Sequence, residues 1–202
     1  LLGKPATNYT IVQARTYARN RGTGWNQLIY NNYKSLFWLF ATEYATFNSQ
    51  LAVNAALTAE GYKQGGLGNG VTTANDTEWN TFNSRNPFIN CGATNSLANG
   101  SGEVSVGIPD FGGTGVTRTF TVNRYRGVEN PFGHIWKFVD GLNVYNSSGV
   151  TTMYVIDNPS NLASETSANS RTGGVISAVD GYGKTMLFGN SGDIVPSVTT
   201  GA

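Results

Sequence analysis

The chain has 202 residues and a formal net charge of +1, and charged residues make up 12% of it. That share is about half of the ~25% of an average globular protein, whereas 39% of the residues are hydrophobic and 12% are aromatic. Coiled coils need dense Lys and Glu, and charged disordered tails need low hydrophobicity, so both are excluded. The near-neutral charge also makes nucleic acid and anionic membrane surfaces poor partners.

Cys91 is the single cysteine and His134 the single histidine, which excludes an internal disulfide and most His-based metal or catalytic sites. We therefore expect no cofactor and no metal ion. No apolar run reaches the ~18 residues of a membrane span, and residues 1–5 lack an apolar signal core. Membrane insertion is not expected, and any export signal would be encoded elsewhere.

Two helices are predicted in the first fifty residues. Between Thr10 and Arg21 apolar residues recur at helical spacing, with Thr10 as the N-cap. After Gly24 a broad apolar stripe predicts a second helix of about twenty residues; it comprises Ile29, Tyr33, Leu36, Phe37, Phe40, Ala41, Tyr44 and Phe47. Because aromatic side chains are rarely left in water in such numbers, we expect Tyr33, Phe37, Phe40 and Tyr44 to be buried against a sheet formed later in the chain.

Strands and loops are predicted for most of the remaining chain. Residues 51–61 favour weak helix, and residues 72–115 are rich in Asn, Ser, Thr and Gly, which predicts loops with short strands. Strand signals follow over residues 116–125, 135–144, 151–156, 175–179 and 185–188. Early helices and late strands describe an α+β protein, and residues 1–202 are expected to form a single domain.

Two motifs are more specific than these patterns. The first runs from Tyr17 to Trp25 as YARNRGTGW and leads into a helix that ends EYATFNSQ, and the second is YRGVENPFGHIWKFVDG over residues 125–141. Together they resemble phage and prophage tail-tip or adhesion proteins with a C-type lectin-like fold. These are related to the variable proteins of diversity-generating retroelements, such as the major tropism determinant. The resemblance extends from about Thr16 to Val144, most of the chain.

The resemblance implies an α+β, C-type lectin-like fold in which two N-terminal helices pack on a twisted antiparallel sheet and long irregular loops present a recognition surface. It implies a non-catalytic receptor-binding or adhesion domain of a phage tail, located in the virion, at the tail tip or fibre, and extracellular. Its implied partners are a host cell-surface receptor, protein or glycan, and other virion tail proteins. Tail adhesins of this kind are commonly homotrimers. Loops of Asn, Ser, Gly, Thr and Tyr also suit adaptable recognition, as they do in antibody paratopes.

The C-terminus departs from the family pattern. In these proteins the diversified segment lies at the extreme C-terminus, close to an Ile-Gly-Arg-Leu-like ending, whereas this chain ends VTTGA at residues 198–202. We expect either a domain that is truncated at its C-terminal end or one whose ending diverges. No hypervariable residue of the family is carried over to this chain.

Within the second motif, five residues are expected to stabilise the scaffold. Arg126 and Glu129 are spaced to meet across a turn, and the Asn-Pro pair at 130–131 suits the start of a turn. The order Glu-Asn-Pro differs from the Glu-Pro-Asn calcium–sugar motif of animal C-type lectins, so calcium-dependent sugar binding is not expected. The expected structural residues are Arg126, Glu129, Asn130, Trp136 and Asp140.

Ligand contacts are expected after the second motif. Residues 145–150, 157–174 and 181–193 contain too few apolar side chains for a core, so they are predicted to be surface loops. Tyr145 and Tyr182 are the expected aromatic anchors, since aromatic residues dominate binding hot spots. Solvated connections without a partner are the alternative interpretation. The candidate ligand-binding residues are Tyr145, Asn146, Asn158, Asn161, Asn169, Tyr182 and Asn190.

Three other functions compete with receptor binding. The domain could be a structural virion component or a bacterial surface adhesin that holds partners together. An enzyme related to the formylglycine-generating group, which shares the C-type lectin-like fold, needs a cysteine pair that Cys91 alone cannot supply. A glycan-hydrolysing enzyme needs two carboxylates at the scissile bond, and twelve acidic residues leave that open. We expect no enzymatic activity and assign no catalytic residue.

Overall fold

The computed structural model describes residues 9–49, 52, 92–109, 117–131, 138–162, 166–179, 182–189 and 191–200. Within these ranges the protein is mixed α+β, as the sequence predicts, with two α-helices and three antiparallel sheets. The helices are α1, Ile11–Arg19, and α2, Tyr30–Tyr44, and single 3₁₀ turns span Asn95–Leu97 and Pro159–Asn161. The glycine-rich run at 65–70 and Cys91, His134 and Trp136 lie outside the described residues, as does the helix predicted over 51–61 except for residue 52.

The strands form one sheet of three strands, a second of three and a third of two. The first sheet has the order β1 (Gly102–Pro109), β2 (Thr117–Tyr125), β3 (Val128–Glu129). The second has the order β4 (Leu142–Ser147), β5 (Val150–Val155), β6 (Arg171–Ile176), and the third pairs β7 (Tyr182–Phe188) with β8 (Ile194–Thr200). Every pairing within these sheets is antiparallel.

The chain divides into two compact units. Unit 1 comprises Leu1–Asn8 and Glu43–Lys137, and unit 2 comprises Tyr9–Thr42 and Phe138–Ala202. The sheet β1-β2-β3 belongs to unit 1, whereas α1, the sheet β4-β5-β6 and the hairpin β7-β8 belong to unit 2. The expectation of one domain over 1–202 stays a prediction.

Helix α1 confirms the prediction for residues 10–21 and shows why the helix starts there. Thr10 is the N-cap: its side chain accepts a hydrogen bond from the backbone N–H of Gln13, and the Gln13 side chain accepts one from the Thr10 backbone N–H. This reciprocal capping box satisfies two N–H groups that the first turn leaves without helical partners. The helix buries Arg15, whose partner is described below.

Helix α2 is shorter than predicted, and it buries less of the aromatic stripe. It ends at Tyr44, because Ala45 adopts a left-handed φ of 52° that stops the helical repeat, so Phe47 does not continue the stripe. Phe40 is buried at 2% exposure and Phe37 is half-buried, but Tyr33 and Tyr44 keep more than a third of their surface exposed. The expectation that all four aromatic residues are buried is therefore wrong for Tyr33 and Tyr44.

The hydrophobic core of unit 2 joins α2 to strands of two sheets. Tyr30 from α2 packs with Met153 and Val155 of β5 and Val195 of β8, and all four side chains are buried. Met153 and Val155 are two residues apart, so the pleat of β5 directs both to the same face. The Tyr30 hydroxyl accepts a hydrogen bond of 2.9 Å from the Ile194 backbone N–H, which satisfies its polar end inside the core.

The strand predictions over 116–125, 151–156 and 185–188 are confirmed by β2, β5 and β7. The prediction over 135–144 is wrong for residues 138–141, which precede β4, and the one over 175–179 is wrong beyond Ile176, where β6 ends. Strand β8 has no counterpart among the predictions, and β1 is longer than the short strands expected there. Sequence alternation locates the strands with clear period-two patterns but not their ends.

Two of the three segments predicted to be surface loops, 145–150 and 181–193, are largely strands, which corrects that expectation, whereas the described part of 157–174 is strand only from Arg171 onward. Residues 145–150 hold the end of β4, the start of β5 and a two-residue turn at Ser148 and Gly149. Both turn residues have positive φ, 51° and 80°, the type I′ pattern whose twist suits a hairpin. Residues 157–174 include the start of β6, and 181–193 include all of β7. These polar segments form strands because neighbouring strands satisfy their backbone hydrogen bonds.

Candidate functional site

Asp140, near the end of the second motif, is a buried residue of unit 2 that connects segments distant in the sequence. Its carboxylate binds Arg15 of α1 through both oxygens, at 2.7 Å from Nε and 2.8 Å from Nη2, and also accepts the Gly141 backbone N–H. Its backbone N–H donates to the Leu28 carbonyl and its carbonyl accepts from the Tyr30 N–H. Asp140 thereby joins α1 and the start of α2 to the segment that leads into β4.

Glu129, another residue of the second motif, organises a loop in unit 1. Its carboxylate accepts hydrogen bonds from the backbone N–H groups of Gly92 and Thr94, both at 2.7 Å, and from the Thr94 hydroxyl at 2.6 Å. Burial raises the pKa of Glu129, but these hydrogen bonds together with the charge of Arg124 outweigh it and hold the pKa below its ordinary value. Glu129 is thus an ionised acceptor at the start of the described segment 92–109.

Arg126 does not pair with Glu129, which corrects the expectation that they meet across a turn. Arg126 occupies the turn between β2 and β3 with a φ of 48°, and its Nε donates to the Glu43 carboxylate at 3.1 Å and to the Tyr125 hydroxyl at 3.2 Å. The tight turn directs the two side chains to different partners. Asn130 follows β3 with a φ of 47°, and its N–H donates to the Asn123 carbonyl.

A cleft in unit 2 brings polar groups of β6 next to the turn that connects β7 to β8. It encloses about 420 Å³, within the ~300–1,000 Å³ range of small-molecule sites. The residues that line it come from two of the segments singled out in the sequence, 157–174 and 181–193. They are Arg171, Thr172, Gly173, Gly174, Gly189, Ser191 and Asp193.

Four charged side chains form one network at this cleft, and two of them, Arg171 and Asp193, are among its lining residues. Arg171 binds Asp193 with Nη1 and Nη2 and binds Asp157 with Nε at 2.6 Å, so its guanidinium connects two carboxylates. Lys34 of α2 adds a second cation at 3.1 Å from Asp193 Oδ1. Asp193 is 1% exposed, whereas the Arg171 side chain is 28% exposed. The network is therefore anchored in the interior and reaches solvent through Arg171 and Asp157.

Both carboxylates of the network are held in the ionised form. Burial raises the pKa of Asp193, but hydrogen bonds from Arg171 and Lys34 outweigh it and leave the pKa below its ordinary value. The hydrogen bond from Arg171 is the main cause of the lowered pKa of Asp157. A carboxylate paired with a guanidinium keeps its charge to lower pH because protonation breaks the pair.

The turn between β7 and β8 is fixed by its own hydrogen bonds and by an aromatic cluster. The Gly189 N–H donates to the Asp193 carbonyl, and the Gly192 N–H donates to the Gly189 carbonyl. A Cβ at Gly189 would lie 2.8 Å from the Gly173 carbonyl oxygen, so only glycine permits this approach of the turn to β6. The Trp38 indole N–H donates to the Gly192 carbonyl at 2.7 Å.

Phe188 extends this aromatic cluster to the surface. Its ring centroid lies 4.7 Å from that of Trp38 and 6.4 Å from that of Phe37, and the side chain is 44% exposed. Phe188 directly precedes Gly189, which lines the cleft. Phe188 is therefore an exposed aromatic residue that is next in the chain to the cleft lining.

The five candidate ligand-binding residues whose side chains the structure describes do not line this cleft. Tyr145 is half-buried on β4 and packs edge-on against Tyr154, with ring centroids 5.7 Å apart. Asn146 is exposed and donates to the Thr151 hydroxyl at 2.7 Å. Asn158 is the N-cap of the 3₁₀ turn and accepts from the Ser160 N–H, and Asn161 is the last residue of that turn. Asn169 is exposed with a φ of 60°.

Two of the seven cannot be placed at side-chain level. Tyr182 opens β7, but its side chain lies outside the described residues, and Asn190 lies wholly outside them. The cleft is formed instead by Arg171 and Asp193, with Lys34 and Asp157 as their partners, none of which the sequence patterns single out. Arg171 and Asp193 are each close to a glycine in the sequence, but no local spacing relates the four residues, since Lys34 and Asp193 are 159 positions apart.

No three His, Cys, Asp or Glu side chains described in the structure lie close enough together to hold a metal ion. Neither described α-helix combines the length and apolar character needed to cross a bilayer.

Comparison with known proteins gave no match. No protein-family model, no curated protein and no solved structure matches the chain.

Proposed function

We propose that this chain is a non-catalytic receptor-binding domain of a phage tail, with a C-type lectin-like fold. The proposal rests first on the two sequence motifs, YARNRGTGW and YRGVENPFGHIWKFVDG, that resemble tail adhesion proteins. The α+β composition with two early helices and antiparallel sheets agrees with it. The domain would act at the tail tip or fibre, outside the cell, as a homotrimer that contacts a host receptor and other tail proteins.

The observation that carries the binding role is the polar cleft beside an exposed aromatic surface. Arg171, Thr172 and Ser191 offer hydrogen-bonding groups in the cleft, and Phe188, which precedes the lining residue Gly189, offers an exposed apolar ring. Binding sites combine such a small number of placed polar groups with apolar surface, because the first gives orientation and the second gives affinity. The fixed β7–β8 turn lowers the entropy lost when a ligand is bound.

The charges in the cleft favour binding over hydrolysis. A glycan hydrolase needs one of its two carboxyl groups protonated as the general acid, with a raised pKa. Asp157 and Asp193 are both bound to Arg171, and the pKa of each is lowered. Neither is a proton donor at neutral pH.

The test is host adsorption by virions that carry or lack this domain. Deletion of the domain is expected to abolish adsorption, because the receptor-binding surface is removed, while tail assembly seen by electron microscopy is retained. Adsorption that is unchanged after deletion contradicts the proposal. Incubation of host polysaccharide with the purified chain should leave its viscosity unchanged, and a fall in viscosity would indicate the glycan-hydrolysing alternative.

A structural virion component is the second candidate, and strand β7 favours it. Met186, Leu187 and Phe188 are consecutive and all exposed, so apolar groups face solvent on both sides of the strand. Exposed apolar strands of this kind are typical of surfaces that pair with another chain. Analytical ultracentrifugation of wild type and Leu187→Lys distinguishes the roles. A trimer that dissociates in the variant supports the structural role, and host-cell binding by the dissociated variant then shows whether the receptor role is separate.

A further inference from the structure

We infer that the cleft between β6 and the β7–β8 turn binds a neutral sugar, as part of an uncharged glycan, without a metal ion. This inference rests on the proposed receptor-binding role and specifies the ligand class and the place where it binds. Three features support it: the charge balance of the network at the cleft, the hydrogen-bonding groups that reach solvent, and the exposed ring of Phe188 directly before Gly189.

Charge balance disfavours an ionic ligand. Arg171 and Lys34 contribute two positive charges, and Asp157 and Asp193 contribute two negative charges, all within one connected network. Within the cleft an anionic ligand would approach the carboxylate of Asp193, and a cationic one would approach the guanidinium of Arg171. A ligand without charge meets neither repulsion and leaves the existing ion pairs intact.

The groups that reach solvent match hydroxyl chemistry. In the cleft lining Arg171 is a donor, and the exposed hydroxyl groups of Thr172 and Ser191 both donate and accept. The half-exposed carboxylate of Asp157, bound to Arg171, is an acceptor next to the lining. A sugar hydroxyl likewise donates one hydrogen bond and accepts others. Adjacent hydroxyl groups of one sugar ring can therefore use a donor and an acceptor side by side, which a purely anionic or cationic ligand cannot.

The aromatic surface supplies the apolar half of the site. Phe188 immediately precedes Gly189 of the cleft lining, and 44% of its surface is exposed. Its ring packs against the ring of Trp38. The indole of Trp38 is itself fixed by its hydrogen bond to Gly192. A pyranose ring has a C–H face that can lie on an aromatic ring while its hydroxyl edge reaches the polar groups.

The experiment measures binding of the purified full chain to defined oligosaccharides. Neutral gluco-, galacto- and mannooligosaccharides are compared with sialylated and sulfated ones by glycan array and isothermal titration calorimetry, in EDTA throughout. We expect at least one neutral probe to bind more tightly than every charged probe. Tighter binding of a charged probe, or no binding of any neutral probe or of neutral host polysaccharide, overturns the inference.

Two variants test the location. Ser191→Tyr places a large side chain at the cleft, where Ser191 is an exposed lining residue. Ser191 makes no side-chain hydrogen bond that the structure records, so we expect the fold to be retained. We expect the affinity to fall at least about tenfold. Phe188→Ala removes the ring and should weaken binding about fivefold. The matched control is Ser167→Tyr, because Ser167 is also an exposed serine of unit 2 and lies outside the cleft lining. Equal affinity of Ser191→Tyr and wild type overturns the assignment to this cleft.

Host-cell binding of the same proteins separates this inference from the proposed function. Wild-type binding that Ser191→Tyr reduces, and that survives protease treatment of the cells, supports both. Wild-type binding that is insensitive to Ser191→Tyr and is lost after protease treatment keeps the receptor role and overturns the sugar cleft. Tight binding of a neutral probe to a chain that does not bind host cells supports the cleft and contradicts the receptor role.

Discussion

Asp140 and Asp193 are two carboxylates of unit 2 with nearly the same burial and different surroundings. They are 2% and 1% exposed, and each binds an arginine through both of its oxygens. The Arg15 partner of Asp140 is itself buried, with 7% of its side chain exposed. The Arg171 partner of Asp193 is 28% exposed, binds Asp157 as well, and lines the cleft.

The difference shows how one pair of residue types serves two purposes. In the Arg15–Asp140 pair both side chains are buried, so the pair can position helices but is not accessible to a ligand. A pair that is anchored by a buried carboxylate and exposes part of its guanidinium keeps hydrogen-bonding capacity for solvent or a ligand. Burial of the carboxylate is shared, and exposure of the arginine distinguishes the two.

The largest expected effect on stability comes from breaking the buried Arg15–Asp140 pair. Arg15→Met leaves the Asp140 carboxylate buried without its cation, which should lower the free energy of unfolding by about 3–5 kcal/mol. Urea unfolding followed by circular dichroism measures it. The control is Arg19→Met on the same helix, an exposed residue in the last turn, with an expected loss below about 1 kcal/mol. Similar losses in the two variants would contradict the structural role of the Arg15–Asp140 pair.

Breaking the partly exposed Arg171–Asp193 pair should lower the free energy of unfolding by less. Arg171→Met removes one partner of Asp193 but leaves Lys34, so we expect a loss of about 1.5–3 kcal/mol in the same assay. Arg171→Lys keeps the charge without the two-pronged geometry and should recover part of the loss. A loss larger than that of Arg15→Met would mean that the network around Arg171 contributes more to stability than the Arg15–Asp140 pair does.

Lowering the pH tests how much the ionised Asp193 contributes to stability. Its pKa is lower in the folded than in the unfolded chain, so its contribution to stability is fully present above the ordinary aspartate pKa of about 3.9 and is lost as the pH falls through the folded value. Stability in that window therefore increases with pH. Unfolding measured between pH 2 and 7 should show this slope in wild type and a flatter one in Asp193→Asn. Parallel curves would contradict the assignment.

The smallest effect is expected at the solvent end of the network. Asp157 is half exposed, so its pair with Arg171 is weakened by water, and Asp157→Asn should change stability by less than about 1 kcal/mol at pH 7. Thermal unfolding checks this against wild type. A loss comparable to that of Arg171→Met would show that Asp157, and not Asp193, anchors the guanidinium.

Much of the local structure could be predicted from the sequence, because its causes are local. Thr10 and Gln13 form a capping box within four residues, and the alternation in β2 and β5 reflects one buried face. The end of α2 could not be predicted, since nothing in the residue type of Ala45 requires its left-handed φ. Strand β8 contains Pro196, which cannot donate to a ladder and is atypical of a strand, yet it pairs with Met186 of β7 beside a register shift.

The cleft could not be predicted because it depends on contacts between distant segments. The turn residue Asp193 is 159 positions from Lys34 and 22 from Arg171, and no spacing rule relates the three. Sequence reasoning selected the segments 157–174 and 181–193 for their polarity, and residues of both line the cleft. It selected Asn and Tyr within them, whereas the structure brings together Arg171, Ser191 and Asp193.

The long sequence separation of Arg15 and Asp140 also determines the order in which the protein can be completed during translation. The two residues are 125 positions apart, so at about 5–20 residues per second a ribosome needs roughly 6–25 seconds to add Asp140 after Arg15. Throughout that interval the Asp140 carboxylate has not yet been added to the chain. The Arg15–Asp140 contact can therefore form only after the Glu43–Lys137 part of unit 1 has been synthesised.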